Sequence, residues 1–142
     1  MLKSEQNLQY MGLLNKLFGA STGSATKKEK QNLSWIPLDN IKRLKDIVGK
    51  SKIKPQVIFK HSTRCGVSRM LMNQFIDAYD FNKEDVDLYY LDLLSHRDIS
   101  NEVAQQFQVV HQSPQLIIVK DGDLVAHASH GQILEVDLRG LI

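Results

Sequence analysis

The sequence predicts an α/β domain, a central mixed sheet flanked by helices, in the order β-α-β-α-β-α-β-β-α. Apolar runs of strand length alternate with stretches of helical period. The last two strands are separated only by Lys120-Asp121-Gly122-Asp123, whose Asp-Gly step signals a hairpin. A chain of 142 residues, 42% hydrophobic and 24% charged, can bury one core without disulfide or metal staples.

The elements follow in order. Ser34-Trp35-Ile36 is a short extended piece ending at Pro37. Asp39 can cap a helix whose apolar positions Ile41, Leu44, Ile47 and Val48 keep the helical period. After Gly49 and Pro55, Val57-Ile58-Phe59 reads as a strand that leads into His61-Ser62-Thr63-Arg64-Cys65. The next helix is read with Val67, Met70, Leu71, Phe75 and Ala78 on one face. Residues 86–93 read as a buried strand, and 98–107 as a helix turning Ile99, Val103, Ala104 and Phe107 inward. Leu116-Ile117-Ile118-Val119 and Leu124-Val125-Ala126 form the hairpin, and a short helix over about 133–138 ends the chain. A parallel β-α-β unit closed by an antiparallel hairpin and a helix is the layout of the thioredoxin fold.

Residues 1–32 read as a flexible N-terminal tail and 33–142 as the domain. The tail joins an amphipathic turn at Met11-Gly-Leu-Leu-Asn-Lys-Leu-Phe to a small-residue, lysine-bearing linker. A disordered leader, with Met11 as an alternative start, is favoured over a membrane-surface anchor. The net charge of +2 comes from this tail, which holds five lysines against Glu5 and Glu29. From Leu33 onward, 13 basic residues face 14 acidic ones, so the domain carries no excess positive charge for a nucleic acid. No apolar run reaches the ~20 residues of a membrane-spanning helix. With one cysteine no internal disulfide can form, and the expected compartment is the reducing cytoplasm.

That cysteine is the most informative residue. Cys65 lies where a buried strand hands over to a helix, among backbone N–H groups that favour the thiolate, the form that attacks disulfides. Thr63, Arg64, Gly66 and Ser68 around it are polar or small, which argues for exposure over burial. Arg64 can add positive field, and Ser68, one turn on, can donate its hydroxyl to the sulfur. Pro114 supplies the second signal. Proline belongs at a strand's first residue or a special turn, and here it precedes the run 116–119. In thioredoxin-like proteins such a proline is cis and faces the cysteine, which exposes the backbone of the preceding residue, here Ser113, for pairing with a ligand.

Of the histidines, His130 opens the last helix and can influence the thiol. His61 and His127 read as packing or surface residues, and Asp80, Glu84, Asp85 and Asp87 as a solvated turn. No metal site is expected.

Four segments resemble the monothiol bacilliredoxin-like proteins: Phe59-Lys60-His61-Ser62-Thr63-Arg64-Cys65, Arg97-Asp98-Ile99-Ser100-Asn101, His111-Gln112-Ser113-Pro114-Gln115 and Ala128-Ser129-His130. The resemblance implies a cytoplasmic protein that removes bacillithiol, or a similar small thiol, from S-thiolated client proteins. Cys65 would attack the mixed disulfide and a second small thiol, a co-substrate rather than a bound cofactor, would regenerate it. The family commonly has proline after the cysteine, where this chain has Gly66.

Two other readings stay open. Cys65-Gly66-Val67-Ser68 resembles the Cys-Gly-Phe-Ser site of monothiol glutaredoxins that carry iron–sulfur clusters, although the accompanying Thr-Val-Pro is absent. A non-catalytic module could instead use the Pro114 loop to hold an extended partner segment.

Overall fold

The computed structural model describes residues 33–142; the tail expected over 1–32 lies outside the described residues. Ser34–Ile142 forms one compact unit. Its elements are β1 (Trp35–Pro37), α1 (Ile41–Lys50), β2 (Gln56–His61), α2 (Gly66–Ala78), β3 (Asp87–Asp92), α3 (Arg97–Phe107), β4 (Gln115–Lys120), β5 (Asp123–Ser129), a 3₁₀ turn over His130–Glu135 and α4 (Leu138–Leu141). The five strands lie in the order β1-β3-β2-β4-β5. β1 and β2 run parallel to β3, while β4 is antiparallel to both β2 and β5.

β2 is the central strand and all six of its residues are buried. Its side chains alternate between two apolar layers. Ile58 joins Leu44 and Ile47 of α1 and Ile99, Val103 and Phe107 of α3 on one face. Phe59 meets Phe75 of α2 on the other, with ring centroids 5.0 Å apart, and Trp35 packs edge-on against Phe59 at 6.4 Å. Pro37 fits at the end of an edge strand, where its missing N–H costs no ladder bond.

Three local expectations are corrected. The N-cap of α1 is Asn40, whose Oδ1 accepts the Arg43 N–H at 2.8 Å, because the helix starts one residue later than an Asp39 cap requires. α2 turns Ser68, Leu71, Phe75 and Ile76 inward, leaving Val67 and Met70 more than half and half exposed respectively. Their positions extend past the narrow arc that touches the sheet. The C-terminal helix breaks into the 3₁₀ turn and the four-residue α4, with Val136 extended between them. Only Ile133 of these two elements is buried, too little apolar surface to support a longer helix.

Because Phe75 is the largest side chain joining α2 to β2, Phe75→Ala should lower unfolding free energy by about 3–5 kcal/mol. Urea denaturation with an unchanged slope would record this, and a loss under about 1 kcal/mol would place the anchor of α2 elsewhere.

Candidate active site around Cys65

β2 ends at His61, and a tight turn carries the chain into α2, with the Cys65 N–H donating to Ser62 O at 3.2 Å. Cys65 is the N-cap of α2: its carbonyl accepts the Arg69 N–H at 3.1 Å, while its own side chain makes no capping bond. The thiol is exposed. It therefore stands at the positive end of a thirteen-residue helix dipole, with unspent backbone donors around it.

The neighbours divide by direction. Thr63, Arg64 and Gly66 are exposed and form the rim of the turn. Arg69, which the sequence reading missed, donates to the Thr63 carbonyl at 3.1 Å and so braces that rim from α2. Nothing lies within 4 Å of a Cβ placed on Gly66, so the position is open to a side chain.

Ser68 is fully buried. Its hydroxyl, expected to donate to the sulfur, is spent on β2 instead, lying 2.7 Å from His61 Nδ1 and accepting the Ser62 N–H at 3.2 Å. The cause is helical geometry, which turns the third residue after the cap toward the sheet, where His61 waits. His61 is itself buried, so packing describes only part of its place. Burial pushes its pKa below the ordinary imidazole value, opposed by the Asp92 carboxylate and assisted by Arg69.

The Ser113–Pro114 peptide bond is cis, and Pro114 is buried at the head of β4. Its carbonyl accepts the His130 N–H at 3.0 Å, tying the loop to the end of β5. His130 has a left-handed backbone (φ 56°) and an exposed side chain, so its backbone does the holding. Gln115 Nε2 braces the same loop through Val110 O at 2.9 Å.

A second feature escaped the sequence reading because a lysine inside a strand run looks like a solvent-facing position. Lys60 is fully buried, on the α1/α3 side of β2, with Nζ 3.2 Å from His111 Nδ1. Ser100 Oγ lies 3.4 Å from the same nitrogen. An ammonium only donates, so His111 Nδ1 accepts and its ring proton sits on Nε2. Among the described residues no carboxylate pairs with Lys60. Burial lowers its pKa to about 8. His111 is also lowered, by burial first and then by the charges of Lys60 and Arg97.

Fold and site together define a thioredoxin-fold protein with a single exposed cysteine at the start of the helix that follows the central strand. Among solved structures, one described as an oxidoreductase with a thioredoxin fold is 28% identical, with TM-score 0.60, covering 75% of this chain and 91% of that one. Thioredoxin NaTrxh from Nicotiana alata matches at 24% identity and TM-score 0.55, over 77% and 91% of the two chains. Thioredoxin from Trypanosoma brucei brucei matches at 18% and 0.56, over 76% and 90%. These last two show the shared fold. Residues 36–138 match the family model for monothiol bacilliredoxin BrxC, and the chain belongs to that family. Thiol–disulfide redox chemistry is the class of function this membership carries. Among the described residues no helix is long and apolar enough to cross a membrane.

Lys60 gives a pH prediction whose sign is fixed. Its folded pKa lies below its unfolded one, so the charged form is penalised in the fold below about pH 8. Stability gains as pH rises from about 8 toward 10.5, where only the unfolded chain keeps the proton. Lys60→Met should remove that rise and stabilise the protein at pH 7 by up to about 3 kcal/mol. Thermal unfolding at pH 7 and 9.5 reads both effects, and a variant with the wild-type slope would contradict the assignment.

Proposed function

We propose that the protein is a monothiol thiol–disulfide oxidoreductase that removes a low-molecular-weight thiol, bacillithiol or a close analogue, from S-thiolated client proteins. The single observation that carries this is the exposed Cys65 sulfur at the N-cap of α2, with no side-chain cap bond to hold it.

The Cys65 thiolate attacks the small thiol's sulfur in the mixed disulfide. A new S–S bond forms to Cys65, the client's S–S bond breaks, and the client sulfur leaves as thiolate and takes a proton from water. A second small-thiol thiolate then attacks the adduct, giving the small-thiol disulfide and free Cys65. No electrons are lost or gained beyond the exchange. With one cysteine in the sequence, the resolving thiol has to come from outside.

Arg64 and Thr63 on the rim offer a cation and a hydroxyl to the approaching ligand, and the open Gly66 leaves it room. Ser113 beside buried Pro114 presents the backbone for strand-like pairing with the client, and His130 borders that loop. A lone thiol doing this work suits a reducing compartment, and we place it in the cytoplasm.

Intact mass after exposure to oxidised bacillithiol, glutathione disulfide and coenzyme A disulfide tests the reading, with Cys65→Ala as control. One adduct on Cys65, formed fastest with the bacillithiol-type disulfide and released by the free thiol, is the expected result. The full chain should then accelerate de-thiolation of an S-bacillithiolated client at least about tenfold over free thiol. A Cys65 adduct that free thiol cannot discharge, or no acceleration, would defeat it.

A further inference from the structure

His61 is the buried titratable group in contact with the turn that carries Cys65, and the exchange chemistry above leaves it without a task. Its Nδ1 lies 2.7 Å from Ser68 Oγ. A hydroxyl has one proton and two lone pairs. One lone pair of Ser68 accepts the Ser62 N–H, and the remaining lone pair and proton are shared between His61 and whatever stands on the other side. Cys65 is the N-cap and Ser68 the third residue after it, the two positions whose side chains meet in a capping box.

We propose that His61 and Ser68 form a proton relay behind Cys65, a pair of positioning residues that prepares the nucleophile. The inference rests on Cys65 being the attacking sulfur. With the imidazole neutral and its proton on Nε2, Nδ1 accepts the Ser68 O–H. The second Oγ lone pair is then left for the Cys65 S–H, which makes no capping bond in this structure and would reach it by rotating about χ1. On ionisation the S–H bond breaks and a new O–H bond forms at Ser68. The original Ser68 proton passes to His61 Nδ1. A thiolate and an imidazolium result, the hydroxyl is regenerated as a donor to the sulfur, and the net charge is unchanged.

The surroundings bias this exchange from both sides. Asp92 stands beside His61 in the β2–β3 register and favours the imidazolium, although Ser95 Oγ and the Leu94 N–H also draw on its carboxylate. The Tyr90 ring packs against the imidazole at 5.9 Å, and Arg69 approaches from α2 and favours the neutral ring. Burial keeps the ring neutral at rest, ready to accept, and the new thiolate supplies the negative charge that holds the proton afterwards.

The test uses the full chain and two readouts that need no client. The rate of Cys65 alkylation by iodoacetamide is followed against pH in the parent, Ser68→Ala, His61→Asn and the double variant. Each single change should slow alkylation at pH 7 about tenfold, with the midpoint of the profile moving up. The double variant should fall no further, because the two residues act in series, and Ser68→Thr should keep most of the rate. In the unmutated chain, ¹⁵N NMR of the His61 ring should show its titration moving to lower pH once Cys65 is blocked by a methylthio group. Parent-like rates in folded single variants, additive losses in the double, or a His61 signal indifferent to the blocking would overturn the relay. If His61→Asn does not fold, Ser68→Ala and the NMR measurement decide. An intact relay in a chain that discharges no mixed disulfide would fail the functional reading alone.

Discussion

The contact between the Phe59 and Phe75 rings fixes where Cys65 stands. Phe59 belongs to the one strand buried along its whole length, and Phe75 is the inward anchor of the helix that the cysteine begins. Once these rings meet, the turn between His61 and Gly66 has little freedom. It must lift the chain off the sheet and start a helix within four residues. That geometry leaves Ser68 buried against β2 and Cys65 exposed at the start of the helix. A thiol on an unanchored helix would still be a thiol, but the first-turn N–H groups and the buried hydroxyl would no longer be arranged around it.

The end of β2 also concentrates polar groups that the core would otherwise exclude. Lys60 and His61 are neighbours in sequence and face opposite layers, and burial depresses the pKa of both. Each has found a neutral partner: His111 for the lysine, Ser68 for the imidazole. One partner belongs to the segment that precedes Pro114, the other to the first turn of α2. The central strand thus touches both halves of the site through buried groups whose charged forms burial disfavours.

Much of this was legible in the sequence. The alternation of apolar runs and helical periods gives the strand and helix order, and the strand-to-helix handover marks Cys65 as an exposed position at the start of a helix. Pro114 announced itself by standing just ahead of an apolar run. What could not be read was the destination of each polar side chain. Local spacing alone pairs Ser68 with the sulfur, whereas in the fold His61 reaches it from another element. Lys60 sits in a run whose burial depends on α1, α3 and the loop at His111 closing over it. Val67 and Met70 fit a helical period yet face solvent, since period alone does not say how wide a contact arc the sheet provides. The C-terminal helix failed for a similar reason, as only Ile133 found a place in the core.

The central claim is that the fold makes Cys65 a better nucleophile than its chemistry alone would. Its most direct measurement is the second-order rate of Cys65 with a small aromatic disulfide at pH 7, in the folded chain and in the same chain unfolded by urea, each corrected by a cysteine peptide under identical conditions. The account predicts that the folded chain reacts at least about tenfold faster. Equal rates, or a faster unfolded chain, would mean that the helix start and the groups beneath it do nothing for the sulfur.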